Sequence, residues 1–218
     1  MQLELYLKRS MALWRKKLGI QPSLKRLVFS VAQFYEATDT LVKQRVAHAR
    51  VKFACRKGCS HCCHLRVELL PPEVFYIAEH IKTLPEPQQA AIKNNLALHN
   101  AYAHNKTFVE YSKACPFLTA QGGCALYAVR PHKCRAMVSK RVETCITTGD
   151  ADEDQPLSAA FQHLVMQTIE LYKQQGCVMH PVELGQGLLA ALQNEQLAQR
   201  WHMGEQVFDL LPEKIVFN

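Results

Sequence analysis

Nine cysteines occur among the 218 residues, and seven of them fall in two short blocks. The first reads CRKGCSHCC over 55–63, and the second reads CPFLTAQGGCALYAVRPHKC over 115–134. Thiolate is a soft ligand that suits zinc and iron–sulfur clusters rather than magnesium or calcium. Closely spaced sulfurs converge on one centre at little chain-entropy cost, and a distant block can close the coordination sphere. Cys55, Cys59 and Cys62 follow at spacings of four and three, which is one face of a helix; Gly58 permits a tight loop instead. Cys62 and Cys63 are adjacent, so their side chains diverge. Equivalent roles at one metal are not expected of them: one ligates a second centre, bridges two, or supports the first from outside it.

The series resembles the YkgJ-type cysteine-cluster family, a family of zinc- or iron-chelating domains. The resemblance is carried by CxxxCxxCC at 55–63, then Cys115-Pro116-Phe117-Leu118, Cys124-Ala125-Leu126-Tyr127, Arg130-Pro131 and Cys134-Arg135, over residues 50–150. It implies a set of metal-associated cysteines that matches Cys55, Cys59, Cys62, Cys63, Cys115, Cys124, Cys134 and Cys145. A related cysteine segment occurs in flagellin lysine N-methylases, but no independent methylase motif is visible here. CxxxCxxC is also the spacing of radical-SAM enzymes. Those resemble strand-rich barrels, whereas the chain after this motif reads as helical, with no glycine-rich cofactor strand.

Histidine with cysteine is a common zinc set, and His61, His64 and His132 stand beside the cysteines. The cysteines alone suffice for four-sulfur sites, so His61 and His64 read as outer partners or solvent-facing groups. Arg56, Lys57, Arg130 and Arg135 would offset the charge of several thiolates and donate hydrogen bonds to sulfur, which tunes a redox potential. A buried free cysteine packs as a small hydrophobe. That reading fits Cys177, which has no cysteine near it in sequence.

The elements that must position these residues read as helices. Leu3, Tyr6, Leu7, Met11, Trp14 and Leu18 recur at helical spacing and predict an amphipathic helix ending near Gly19. Ser23 predicts the cap of a helix through Leu24, Leu27, Val28, Val31, Phe34 and Leu41, running to about Phe53. Pro71-Pro72-Glu73 opens another, with Val74, Ile77, Ala78 and Ile81 on one face, broken at Leu84-Pro85. Residues 86–112 read as a more polar helix. From Ser112 to about Thr148 the chain reads as loop and short turns. After the acidic linker GDADEDQP comes a helix through Leu157, Phe161, Leu164, Val165 and Tyr172, stopping at Gly176. A last helix starts at Pro181 and carries Leu184, Leu188, Leu192 and Trp201. The cysteine-bearing loop is too long for an idle connection in a compact domain, and metal ligands that tie it down would explain it.

The expected fold is all-α or nearly so: a single compact helical domain over 1–218 with a long irregular cysteine-rich metal-binding loop. Apolar residues make up 48% of the chain, enough for a core without disulfides. No apolar run is long enough for a membrane span, and the N-terminal stretch lacks the pattern of a signal peptide. A cytoplasmic location is expected, where thiols stay reduced and clustered cysteines hold metal. The net charge of +7 is uneven: residues 1–60 hold 13 Lys+Arg against three acids, a net of +10, and the rest holds 13 against 16. Such a basic third could meet nucleic acid, an acidic partner or an anionic membrane surface, although a solvated helix face is the plainer reading. No aromatic–basic interleaving supports nucleic acid; the partner expected at the basic N-terminal helices is an unidentified protein.

The functional expectation is a metal-binding protein whose clustered thiolates hold an iron–sulfur cluster or zinc, in a redox or metal-handling role. CxxxCxxC and the Cys115-Pro116 pair favour iron–sulfur. The alternatives are an enzyme acting on a protein substrate, lysine methylase-like or redox, and an interaction module stapled by zinc. No catalytic acid, base or nucleophile stands out. The two blocks are expected to meet, with Cys55, Cys59 and Cys62 or Cys63 facing Cys115, Cys124 and Cys134.

Overall fold

The computed structural model describes residues 2–56, 58–104, 106–107 and 110–211. Helix α1 (Gln2–Leu18) buries Leu7, Met11, Trp14 and Leu18, the stripe its sequence periodicity predicts, and ends at Gly19 with φ +75°. Helix α2 (Leu24–Phe29) is capped by Ser23, whose side chain accepts the N–H of Arg26. The expected continuous helix to Phe53 is instead broken at Ser30, and α3 (Val31–Ala49) starts afresh. The buried Ser30 hydroxyl donates to the Leu27 carbonyl at 2.8 Å and lies 2.9 Å from the Tyr172 hydroxyl. That local bond competes with the helix ladder, and its partner lies far away in sequence. Arg50, in the left-handed region at φ 52°, closes α3 before Phe53.

A 3-10 turn (His61–His64) and strand β1 (Glu68–Leu69) lead into α4 (Pro71–Lys82) and α5 (Glu86–Ala103). Helix α5 stops short of the expected 112. Tyr111 folds back so that its ring meets Tyr102 at 5.6 Å and its hydroxyl lies 3.2 Å from the His99 ring nitrogens. A continuing helix would carry residue 111 about 13 Å beyond residue 102. The predicted loop contains short helical pieces: a 3-10 turn (Tyr127–Val129), α6 (His132–Ala136) and α7 (Val142–Thr147). Helix α8 (Gln155–Lys173) follows the acidic linker. Strand β2 (Val182–Glu183) then pairs antiparallel with β1, Leu69 opposite Val182. The expected last helix is two, α9 (Leu184–Gln193) and α10 (Leu197–His202); Asn194 accepts the Gln196 N–H at 3.0 Å and turns the chain between them.

The fold is thus nearly all-α, as expected. Helices α1, α3 and α8 pack against one another on one side, and α9 packs on α4 and α5 on the other. The aromatic cluster Trp14, Phe34, Tyr172, Trp201 and Phe75 joins the two sides, with ring centroids 5.3–6.3 Å apart at successive contacts. Helix α6 rests on α3, and the Tyr127–Val129 turn rests on α4, so the cysteine-bearing segment lies over the core rather than hanging from it.

Candidate metal centre

Backbone pairing brings the two cysteine blocks together. The Cys115 N–H donates to the Cys63 carbonyl at 2.7 Å. Gly122, at φ +76°, comes so close to the first block that a Cβ there would lie 3.1 Å from the Gly58 carbonyl oxygen; glycine serves both the backbone conformation and the contact. Cys115 and Cys124 each open a tight turn, with Leu118 N–H returning to the Cys115 carbonyl and Tyr127 N–H to the Cys124 carbonyl. In each turn the amide two residues on, Phe117 and Leu126 respectively, favours the charged form of the cysteine and so lowers its thiol. Leu118 and Cys124 also form an antiparallel bridge that closes the hairpin between the turns.

Cys62, Cys63, Cys115, Cys124 and Cys134 form an inner group of half-buried thiols. Burial pushes Cys115 up to about 11, with Cys124, Glu183 and Cys62 adding to it. Cys134 is pushed well above the usual thiol value, by burial first and then by Cys115, Cys62 and Cys124. Cys62 and Cys63 lie close enough to couple, and the coupling raises Cys62 while it lowers Cys63.

Cys55, Cys59 and Cys145 make an outer group. Ala54 N–H donates to the Ser139 carbonyl at 2.8 Å, and Ser139 N–H donates to the Cys55 sulfur at 3.4 Å. The Arg141 carbonyl accepts both the Ser139 hydroxyl, at 2.7 Å, and the Cys145 thiol, at 3.8 Å. Burial raises the Cys55 thiol, and its electrostatic neighbours are Cys59, Cys62 and Cys145. For Cys55 the expectation of facing the second block thus meets a different arrangement. Pairing with residue 139 turns Cys55 toward Cys145, and it is Cys62 and Cys63 that meet Cys115, Cys124 and Cys134. Among the described residues, no three histidine, cysteine, aspartate or glutamate side chains stand grouped so as to hold a metal ion.

Helix α6, which carries Cys134, is fixed by residues outside the cysteine blocks. Buried Glu73 accepts the Leu70 N–H at 3.0 Å and the His132 N–H at 2.7 Å, so one carboxylate caps α4 and anchors the start of α6. Burial raises the Glu73 carboxyl, and these N–H groups counter it. His132 is not turned to the sulfurs through Nδ1: that atom lies 2.8 Å from Thr38 Oγ1, and the ring stacks on Phe34 at 4.4 Å. Burial holds it down to about 3.

Arg135, expected near thiolate charge, instead bonds Asp39 at 2.6 Å and the carbonyls of Ala128 and Arg130, and lies over the Tyr35 ring. Arg130 keeps the expected role, lowering Cys62 and Cys124. His61, His64 and Arg56 face solvent, Lys57 lies outside the described residues, and Cys177 is buried in the core.

Residues 54–157 match the family model CxxCxxCC, described as "Putative zinc- or iron-chelating domain". This segment is similar to that family, the one its cysteine motifs resemble. No curated protein and no solved structure matches the chain. The matched segment begins at Ala54, where pairing with Ser139 starts, and ends at Leu157, the first core residue of α8. All eight candidate ligands fall within it, and Cys177 falls outside. Sequence reasoning missed three residues that shape it: Glu73, Ser139 and Asp39. Glu73 carried a signal, being the third residue of a helix opened by two prolines. Ser139 and Asp39 carried none.

Proposed function

We propose that the CxxCxxCC domain holds an iron–sulfur cluster through the inner group Cys62, Cys63, Cys115, Cys124 and Cys134, with Cys55, Cys59 and Cys145 as an outer thiolate set beside it. The observation that carries this reading is the aim of the amide donors. Ser139 N–H donates to the Cys55 sulfur at 3.4 Å, and the Phe117 and Leu126 amides lower the Cys115 and Cys124 thiols. A free thiol needs no such donor, whereas a thiolate gains from each, and hydrogen bonds to sulfur set a cluster's potential. The half-burial of the sulfurs and the Arg130 cation serve the same end. A bound cluster would supply one-electron chemistry, which fits electron transfer or redox sensing.

Zinc is the second reading, because turns with an amide on sulfur serve a tetrahedral four-thiolate site equally well, and the inner group has more than four sulfurs. Zinc has no redox chemistry, so its part would be structural or metal-handling. In either case the sulfurs must swing onto the metal within an already assembled backbone. Anaerobic purification with visible spectroscopy and metal analysis tests this. Iron, sulfide and broad visible absorption are expected. A colourless protein with stoichiometric zinc would move the assignment to the second reading. Eight freely titrating thiols with neither metal, after reconstitution has been attempted with both, would end the chelation reading itself.

A further inference from the structure

We propose that the turn between α1 and α2 is a docking tip for an anionic membrane surface, with Ile20 as its inserting side chain. The turn is built to hold an apolar residue out of the protein. Leu18 and Pro22 are buried on either side of it, yet Ile20 between them is 95% exposed. Gln21 adopts φ 54°, a left-handed conformation that non-glycine residues enter at a cost, and Gly19 adopts φ +75°. A strained turn that presents an isoleucine to water has no purpose in the core, since its neighbours already fill it.

The surroundings supply the sign of the partner. Lys16, Lys17, Lys25 and Arg26 are all exposed within the flanking turns of helix, and the Arg26 guanidinium lies 3.7 Å from where a Gly19 Cβ would be. No acidic residue occurs between Glu4 and Glu36. Lys25 shares a groove with Glu79 and Glu195, so Lys16, Lys17 and Arg26 are the less compensated cations. Arg9, Leu13 and Lys16 recur at spacings of four and three, one stripe of α1 opposite the buried Leu7–Met11–Trp14–Leu18 stripe, and Leu13 is 60% exposed. Cations interleaved with exposed aliphatic side chains match a lipid interface, where headgroup charge attracts the lysines and acyl chains take the isoleucine. A nucleic acid would use the cations and leave Ile20 and Leu13 in water. The inference is independent of which metal the cysteines hold.

Co-sedimentation of the full chain with phosphatidylcholine vesicles, with and without phosphatidylglycerol, tests it. Binding is expected to the anionic vesicles alone and to weaken with added salt. The double variant K16A/K17A is expected to bind about 25-fold more weakly, about fivefold for each lysine, and I20S about tenfold more weakly. All three positions are exposed, so these variants keep the fold. An I20W side chain is expected to be quenched by brominated acyl chains. No binding to anionic vesicles at low salt would overturn the proposal. So would I20S binding like wild type with I20W unquenched, and competition of a soluble oligonucleotide for the same cations would then identify the patch as a polyanion site.

Discussion

Replacing Glu73 by alanine tests whether the carboxylate beneath the site, rather than the sulfurs alone, decides where Cys134 sits. The substitution removes the acceptor of two buried amides, Leu70 N–H at 3.0 Å and His132 N–H at 2.7 Å. Each stranded buried donor costs about 1–3 kcal/mol. Burial raises the Glu73 carboxyl, so removing it also relieves some desolvation. The stranded amides outweigh that relief because neither can reach water, leaving a net loss of about 3 kcal/mol. In a chain of this size that lowers the melting temperature by about 6–12 °C.

Cys134 stands two residues after His132 on α6, so a loosened α6 start displaces the sulfur. Metal affinity is expected to fall about 10–100-fold with every cysteine intact. Glu73→Gln keeps one acceptor oxygen and is expected to recover about half of both losses. The assay pairs thermal melts with a chelator competition on the reconstituted protein. Wild-type affinity in Glu73→Ala, despite the lower melting point, would refute the claim that Glu73 positions Cys134.

Three further outcomes are expected. Cys134→Ser and Cys115→Ser should lower metal content and stability together, because binding energy at a site absent from the unfolded chain becomes folding energy; Cys177→Ser should leave metal content unchanged, and metal loss there would show the ligand set to be wrong. Chelation should raise proteolysis within residues 112–148 while the circular dichroism of the helices persists, and unchanged cleavage after verified metal loss would count against metal tethering of that segment. Asp154 is held below the usual carboxylate range by Arg45, which it meets at 2.7 and 3.0 Å. That contact stabilises fully above the unfolded pKa of about 3.9 and is lost as pH falls through the lower folded value, so Asp154→Asn should cost about 1 kcal/mol at pH 7 and progressively less in acid; denaturant melts at the two extremes check the sign, and a cost that grows in acid would contradict it.

The sequence alone determined the helical class, the buried stripe of α1, the caps at Ser23 and Gly176, and the cysteine set that the CxxCxxCC match encloses. These follow from periodicity, local backbone preference and spacing, which act within a few residues. Only tertiary structure decided which sulfurs are neighbours. Cys55 turns toward Cys145 because the chain beside it pairs with Ser139, and Cys63 meets Cys115 through a backbone bond across 52 positions of sequence. The breaks at Ser30 and after Ala103 depended likewise on Tyr172 and on the return of Tyr111 to Tyr102 and His99. Glu73, Asp39 and Thr38 hold α6 through partners some 60 to 100 residues away. Such contacts form because burial leaves polar groups no water to bond, and the partner available is whichever one the packed chain brings close.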